Sequence, residues 1–144
     1  RGLGDVYKRQ VLYSGACSSC HGRTGEGTKD NFYPSLTHNS AVSAATPNNL
    51  VMTIVDGIHR KSRDADVGMP AFATELNNAQ IASVTRYVRS HFAGINDELT
   101  ADEVAQLRQG GQAPLIVRYM NWLIAGGVVL VLLLLFALLR LRRR

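Results

Sequence analysis

From Met120 to Leu139 the chain carries no charged residue for twenty positions. As a helix rising about 1.5 Å per residue, such a run is about 30 Å long, the hydrocarbon thickness of a bilayer. Tyr119 and Trp122 stand at one end, where an interfacial aromatic belt would lie. Arg140, Arg142, Arg143 and Arg144 cluster at the other. No amphipathic partner helices exist to enclose the run as a buried core helix, and its position rules out a cleaved signal peptide. Residues 115–141 are therefore expected to be a single transmembrane anchor. Residues 142–144 would be a short basic tail kept in the cytoplasm.

The net charge of +5 has the same explanation. The four terminal arginines account for much of it, and Arg1, Lys8 and Arg9 against Asp5 add to it at the other end. Residues 11–139 hold nine basic and ten acidic side chains, so the body is close to neutral. A basic tail beside an apolar run, with no aromatic interleaving, marks a membrane and excludes nucleic acid as a partner. What remains for a soluble domain is roughly 90–100 residues, a small core that a buried prosthetic group would help to complete. The opening lacks an initiator Met and a signal peptide, so the chain is expected to be a fragment. Residues 1–10 read as a non-native or disordered leader.

The soluble part reads as all-α with long loops. Val11 and Leu12 suit the end of a helix leading into the first cysteine, and Gly22 to Asp30 is a polar, glycine-rich loop. Tyr33-Pro34-Ser35-Leu36 is an extended turn, because proline biases its predecessor away from helix. Thr46 as N-cap and Pro47 at the first helical position open a helix through Leu50, Val51, Ile54 and Val55, which Gly57 stops. His59 to Gly68 is charged and irregular, and it delivers Met69-Pro70-Ala71-Phe72. A clearer helix is capped by Asn77 or Asn78 and lined by Ile81, Val84, Val88 and His91 or Phe92. Residues 94–114 read as a linker containing one short helix, opened by the capping box Thr100-Ala101-Asp102-Glu103. No strand pattern competes.

The chain has only two cysteines, within Cys17-Ser18-Ser19-Cys20-His21. Two thiols three positions apart can each add to one vinyl group of the same porphyrin. The next residue, His21, then lies under the iron and supplies an imidazole nitrogen. The pentapeptide is the c-type haem attachment signal. A zinc site would need further ligands at paired spacing, yet His38, His59 and His91 are scattered. A thioredoxin-like pair would need a βαβ context, and a structural disulfide would leave the adjacent histidine to chance.

An iron held on one side by histidine needs a sixth ligand for fast electron transfer, and Met/His pairing is the usual arrangement in cytochromes c. Met120 lies in the apolar run and Met52 within a helix among core positions. Met69, in a loop well separated from His21, lets the chain wrap the porphyrin and return on its far face. Met69 is the expected ligand and His59 its main rival. Arg60, Lys61 and Arg63 are candidates to pair with haem propionates, or simply a solvated charged loop. His91 and His38 read as ordinary rim and loop side chains.

With Gly22, Gly25 and Gly27, the pentapeptide resembles the class I cytochrome c domain, as does Met69-Pro70-Ala71-Phe72. The chain is most similar to the last haem domain in the cytochrome c subunit of membrane-bound bacterial alcohol, gluconate and sorbitol dehydrogenases. Tyr33 to Leu36, Leu76 to Ala82, Tyr87-Val88-Arg89 and Leu99 to Arg108 carry that likeness, which covers about residues 11–109. It implies a haem domain at 11–93 whose cofactor-binding residues are Cys17, Cys20, His21, Pro34, Leu36 and Met69, with His21 and Met69 on the iron. It also implies that Pro34 offers its carbonyl to His21, and that Tyr87 packs near Gly15 where the first and last helices cross. Family members carry three haem motifs and this chain shows one.

The expectation is thus a membrane-anchored electron-transfer protein with one covalent haem c and no substrate-oxidising site of its own. By resemblance its partners would be a dehydrogenase catalytic subunit, ubiquinone or another cytochrome, and membrane lipid. The haem domain would lie in the periplasm of a bacterial inner membrane. The alternatives are a stand-alone anchored cytochrome feeding a terminal oxidase and, from another class, a peroxidase with an open iron position, against which Met69 argues.

Overall fold

The computed structural model describes residues 3–61, 66–111 and 115–143. The expectations for Arg1, Gly2, Arg63, Arg144 and positions 112–114 of the linker lie outside these residues. The chain divides into two compact units, Arg1–Gly111 and Gln112–Arg144.

In the first unit, helix α1 (Leu3–Ala16) runs into the one-turn helix α2 (Ser18–His21). Val11 and Leu12 thus lie towards the end of a helix that leads into the first cysteine, as expected, and positions 3–10 of the expected leader belong to it. Tyr13 is the buried anchor of α1. Its ring centroid lies 5.3 Å from those of Tyr87 and Phe92, and its hydroxyl donates to the Gly22 carbonyl at 2.7 Å. Resemblance places Gly15 beside Tyr87 at this crossing. A Cβ built on Gly15 would meet nothing within 4 Å, and the contact of α1 with Tyr87 that the structure shows is made by the Tyr13 ring.

Helix α3 (Asn48–Asp56) starts one position later than Thr46 and Pro47 predict, with Pro47 as its cap. Leu50, Val51, Ile54 and Val55 are buried as their spacing requires, and Gly57 ends the helix. Strands β1 (Ile58–Lys61) and β2 (Asp66–Met69) follow as an antiparallel pair, with Ile58 opposite Met69 and Lys61 opposite Asp66. The fold is therefore mostly helical and not all-α. The reason is physical: every β1 residue is exposed. Only Ile58 of its four residues is apolar, so β1 shows none of the period-two apolar alternation that marks strands in sequence.

Helix α4 (Asn78–Ala93) is capped by Asn77, whose side chain accepts from the Gln80 amide at 2.9 Å while the Gln80 side chain accepts from the Asn77 amide. Ile81, Val84 and Val88 are buried, but His91 is exposed. Helix α5 (Ala101–Arg108) opens with the expected capping box of Thr100 and Glu103. Leu99 and Val104 are buried, so α5 belongs to the packed core of this unit and not to an extended linker.

The second unit is helix α6 (Leu115–Arg142), 28 residues long. From Ile116 to Arg142 it is long and apolar enough to cross a membrane, by length and composition.

Candidate functional site

One turn of helix gathers the first wall of the site. The amides of Cys17 and His21 bond to the Tyr13 and Cys17 carbonyls at 2.9 and 3.0 Å. Residues at i, i+3 and i+4 of a helical turn share a face, and Cys17, Cys20 and His21 all line one cavity of about 470 Å³. Both cysteines are free thiols and half-buried. Burial first, and Cys20 second, push the Cys17 thiol up to about 11, so it is protonated at neutral pH. Among the described residues no group of three or more His, Cys, Asp or Glu side chains is placed to hold a metal, so no zinc set is assembled.

The glycine-rich loop after α2 folds back to fix His21. The Gly27 amide bonds to the His21 carbonyl at 2.8 Å, and the Leu36 amide to the Gly25 carbonyl at 2.8 Å. Gly27 has φ 66, and a Cβ there would run into the Tyr33 and Pro34 backbone, so only glycine permits this closure. The loop brings the Pro34 carbonyl to 3.0 Å from His21 Nδ1. A carbonyl can only accept. Nδ1 therefore carries the proton, and Nε2 keeps its lone pair free for a metal. Glu26 braces the same loop: bonds from the Thr24 hydroxyl and amide hold its carboxyl below the usual range.

Another part of the lining comes from far along the chain. Met69 and Pro70 line the same cavity, together with Ile58 and Arg60 of the hairpin. The Met69 segment passes so close over the end of α3 that a Cβ on Gly57 would collide with the Met69 carbonyl. The Phe72 amide then bonds to the Ile54 carbonyl at 3.0 Å. Met52 packs against the core but does not line the cavity, and exposed His59 does not reach it. Neither rival to Met69 is in position. Of the expected propionate partners, Arg60 lines the cavity and Lys61 does not. His38 is exposed, and His91 stacks on Tyr87 with its ring centroid at 5.1 Å.

Core side chains complete the walls: Leu36, Leu50, Ile54, Val84 and Val88 all line the cavity. The buried Arg89 donates to the Val42 and Ala44 carbonyls, both at 2.8 Å, and pairs with Asp97. It thereby pins the 42–44 backbone, where Val42 is itself a wall residue, to α4. Sequence reasoning gives Arg89 no such role, because a cation on a helix face reads as solvated until its carbonyl partners are known.

An apolar chamber of this size, with two thiols and an imidazole on one wall and a thioether on the other, fits a haem.

Residues 5–88 match the family described as Cytochrome C oxidase, cbb3-type, subunit III. The chain belongs to that family of class I cytochrome c domains. Membership implies haem c and an electron-transfer function. The chain is 40% identical over 111 residues, 73% of its length, to the fructose dehydrogenase cytochrome subunit of Gluconobacter japonicus. It is 36% identical over 84 residues, 57% of its length, to one subunit of the nicotinate dehydrogenase of Pseudomonas putida. It is 33% identical over 82 residues, 56% of its length, to the cbb3-type cytochrome c oxidase subunit FixP of Azorhizobium caulinodans. It spans only 23%, 7% and 27% of those relatives' respective lengths. The likeness to dehydrogenase cytochrome subunits expected from the sequence is thus present.

Proposed function

We infer that this cytochrome c domain holds its haem through Cys17 and Cys20, with His21 and Met69 on the iron, and passes electrons for a separate dehydrogenase. The observation that carries the reading is the single cavity onto which the Cys17–His21 turn and Met69 both open. Haem supplies reversible one-electron chemistry, and a thioether opposite imidazole raises its potential. The chain's own residues do the rest. Pro34 sets the imidazole tautomer and plane, Leu36, Leu50, Ile54, Val84 and Val88 exclude water, and Arg60 offers a cation to a propionate.

The dehydrogenase partner is supported by the likeness to two dehydrogenase subunits. In this reading α6 anchors the chain in the bacterial inner membrane. The haem domain lies in the periplasm, where c-type attachment occurs, and the arginine cluster stays inside. Electrons then pass to ubiquinone or to another cytochrome. The match to an oxidase subunit favours one other route, delivery to a terminal oxidase. Co-purification of the full chain from membranes distinguishes these routes, since a dehydrogenase catalytic subunit accompanies it in the first and oxidase subunits in the second. Met69→Ala is expected to lower the reduction potential and remove the sulfur-to-iron charge-transfer band of the oxidised protein. An unchanged band would remove Met69 from the iron. A reporter fused after Arg144 should behave as cytoplasmic, and alkaline phosphatase activity from that fusion would overturn the topology.

A further inference from the structure

Residues 94–111 follow the segment that matches the family and read from sequence as a linker, yet they are tied into the domain at two points. At the near end, Asp97 pairs with the buried Arg89, and the Ile95 amide bonds to the Arg89 carbonyl at 3.0 Å. At the far end, the Arg108 guanidinium donates to the Ala73 carbonyl at 3.2 Å and to the Leu76 carbonyl at 3.0 Å. Between them Leu99 and Val104 are buried. The two carbonyls held by Arg108 lie just beyond Met69-Pro70-Ala71-Phe72. The other restraints on that stretch are the Phe72 amide on the Ile54 carbonyl, the Glu75 and Leu76 amides on the Phe72 carbonyl, and the β1 pairing.

We propose that residues 95–108 form a strap that positions Met69, with Arg108 as its working contact. A guanidinium presents several donors in a rigid fork and is always charged. The carbonyls at the two ends of one turn, both bound by the Nη2 amino group of Arg108, fix the direction in which the chain leaves Phe72, and so where Met69 stands over the cavity. Bonds from a charged donor are stronger than neutral ones. The strap is itself held in place by the Asp97–Arg89 pair, which also pins the 42–44 wall. Met69 and that wall are thereby set by one segment outside the family match.

The inference rests on the reading of Met69 as iron ligand, and the test separates the two. The full-length haem-loaded chain, purified in detergent, is titrated with imidazole in the oxidised state, where imidazole competes with Met69 for the sixth position. Arg108→Ala should keep covalent haem, weaken the sulfur-to-iron band and raise the apparent imidazole affinity about tenfold. Arg108→Lys, which keeps a charge and a single donor group, should fall between wild type and Arg108→Ala. A variant that lowers the melting temperature but leaves band and imidazole affinity at wild-type values would overturn the strap, because a merely structural arginine gives that result. If Arg108→Ala yields no loaded protein, Arg108→Lys is read alone, and wild-type imidazole affinity in it overturns the strap equally. A wild-type protein with no sulfur-to-iron band would overturn the Met69 assignment and the strap together. A wild-type band unmoved by either variant overturns the strap alone.

Discussion

The two walls of the cavity are built in opposite ways. The wall of Cys17, Cys20 and His21 comes from one helical turn, and its orienting carbonyl, Pro34, lies thirteen residues on, joined through a loop bonded to itself. The Met69 wall draws on more elements. It packs on the nearby end of α3 at Gly57 and Ile54 and pairs with β1, while the turn that follows it is held by Arg108, 32 to 35 residues from the carbonyls it binds. A locally closed motif can be read from its residue types. A ligand held by distant contacts is visible in sequence only as a candidate. The local wall should therefore fail all at once, and the distant wall by degrees.

The sharpest way to break the comparison is at the local wall. Replacing Cys17 and Cys20 together by serine should abolish covalent haem staining on a denaturing gel, and stain that persists would refute the attachment. Because core residues such as Leu36, Leu50, Ile54 and Val84 line the haem site, this variant, lacking its core filler, is expected to be largely unfolded. A cooperative melt of the haem-free chain would contradict that.

Asp97→Asn tests the distant supports. It leaves the Arg89 cation, 1% exposed, without its carboxylate, and removal of one partner of a buried pair costs about 3–5 kcal/mol. Because Arg89 keeps its two carbonyl acceptors, the loss on chemical denaturation of the loaded protein should be near about 3 kcal/mol. A loss below about 1 kcal/mol, the worth of an exposed pair, would mean that the pair is solvated.

Gly57→Ala should separate the two walls cleanly. Gly57 has φ 72 and ψ −175, a region essentially reserved for glycine. The substitution should destabilise by about 1–3 kcal/mol and weaken the sulfur-to-iron band while haem staining stays intact. A full band in this variant would show that the Met69 chain does not depend on its passage over α3.

The smallest effect should come from the cap of α5, which lies within the strap but makes neither of its two ties. Thr100→Ala removes the side chain that bonds the Glu103 amide at 3.2 Å and should cost about 1 kcal/mol without moving the reduction potential. Glu103 has its carboxyl lowered by bonds from the Thr100 amide and hydroxyl. A group depressed in the folded state stabilises it above the unfolded value, and that contribution fades as pH falls through the folded one. The gap in stability between the wild type and Thr100→Ala should therefore narrow as pH falls, without closing, because the bond from the Glu103 amide to the Thr100 hydroxyl does not titrate; a gap that stays constant would show that the Glu103 carboxylate contributes nothing.

Much of this architecture was legible because the residues concerned act over short range. The apolar positions of α3 and α4, the boxes at Asn77 and Thr100, the Cys17–His21 turn and the α6 run all announce themselves by spacing. The hairpin did not, since four exposed residues carry no burial pattern. Nor did Arg89 and Arg108. An arginine on a helix looks solvated until the carbonyls of Val42, Ala44, Ala73 and Leu76 are brought to it. Met52 and His59 were separable from Met69 only by where the cavity lies.

The chain contains a single tryptophan, Trp122, standing on α6 with 78% of its surface exposed. The first unit emits only through tyrosines, among them the buried Tyr13. Light absorbed selectively by indole therefore reports on the second unit alone. Its emission colour reads the polarity around the start of α6, and lipids carrying quenchers at known depths can locate it across a bilayer. Haem absorbs where indole emits, so in a haem-loaded chain the lifetime of that one fluorophore would also report its distance from the haem, without a label being added.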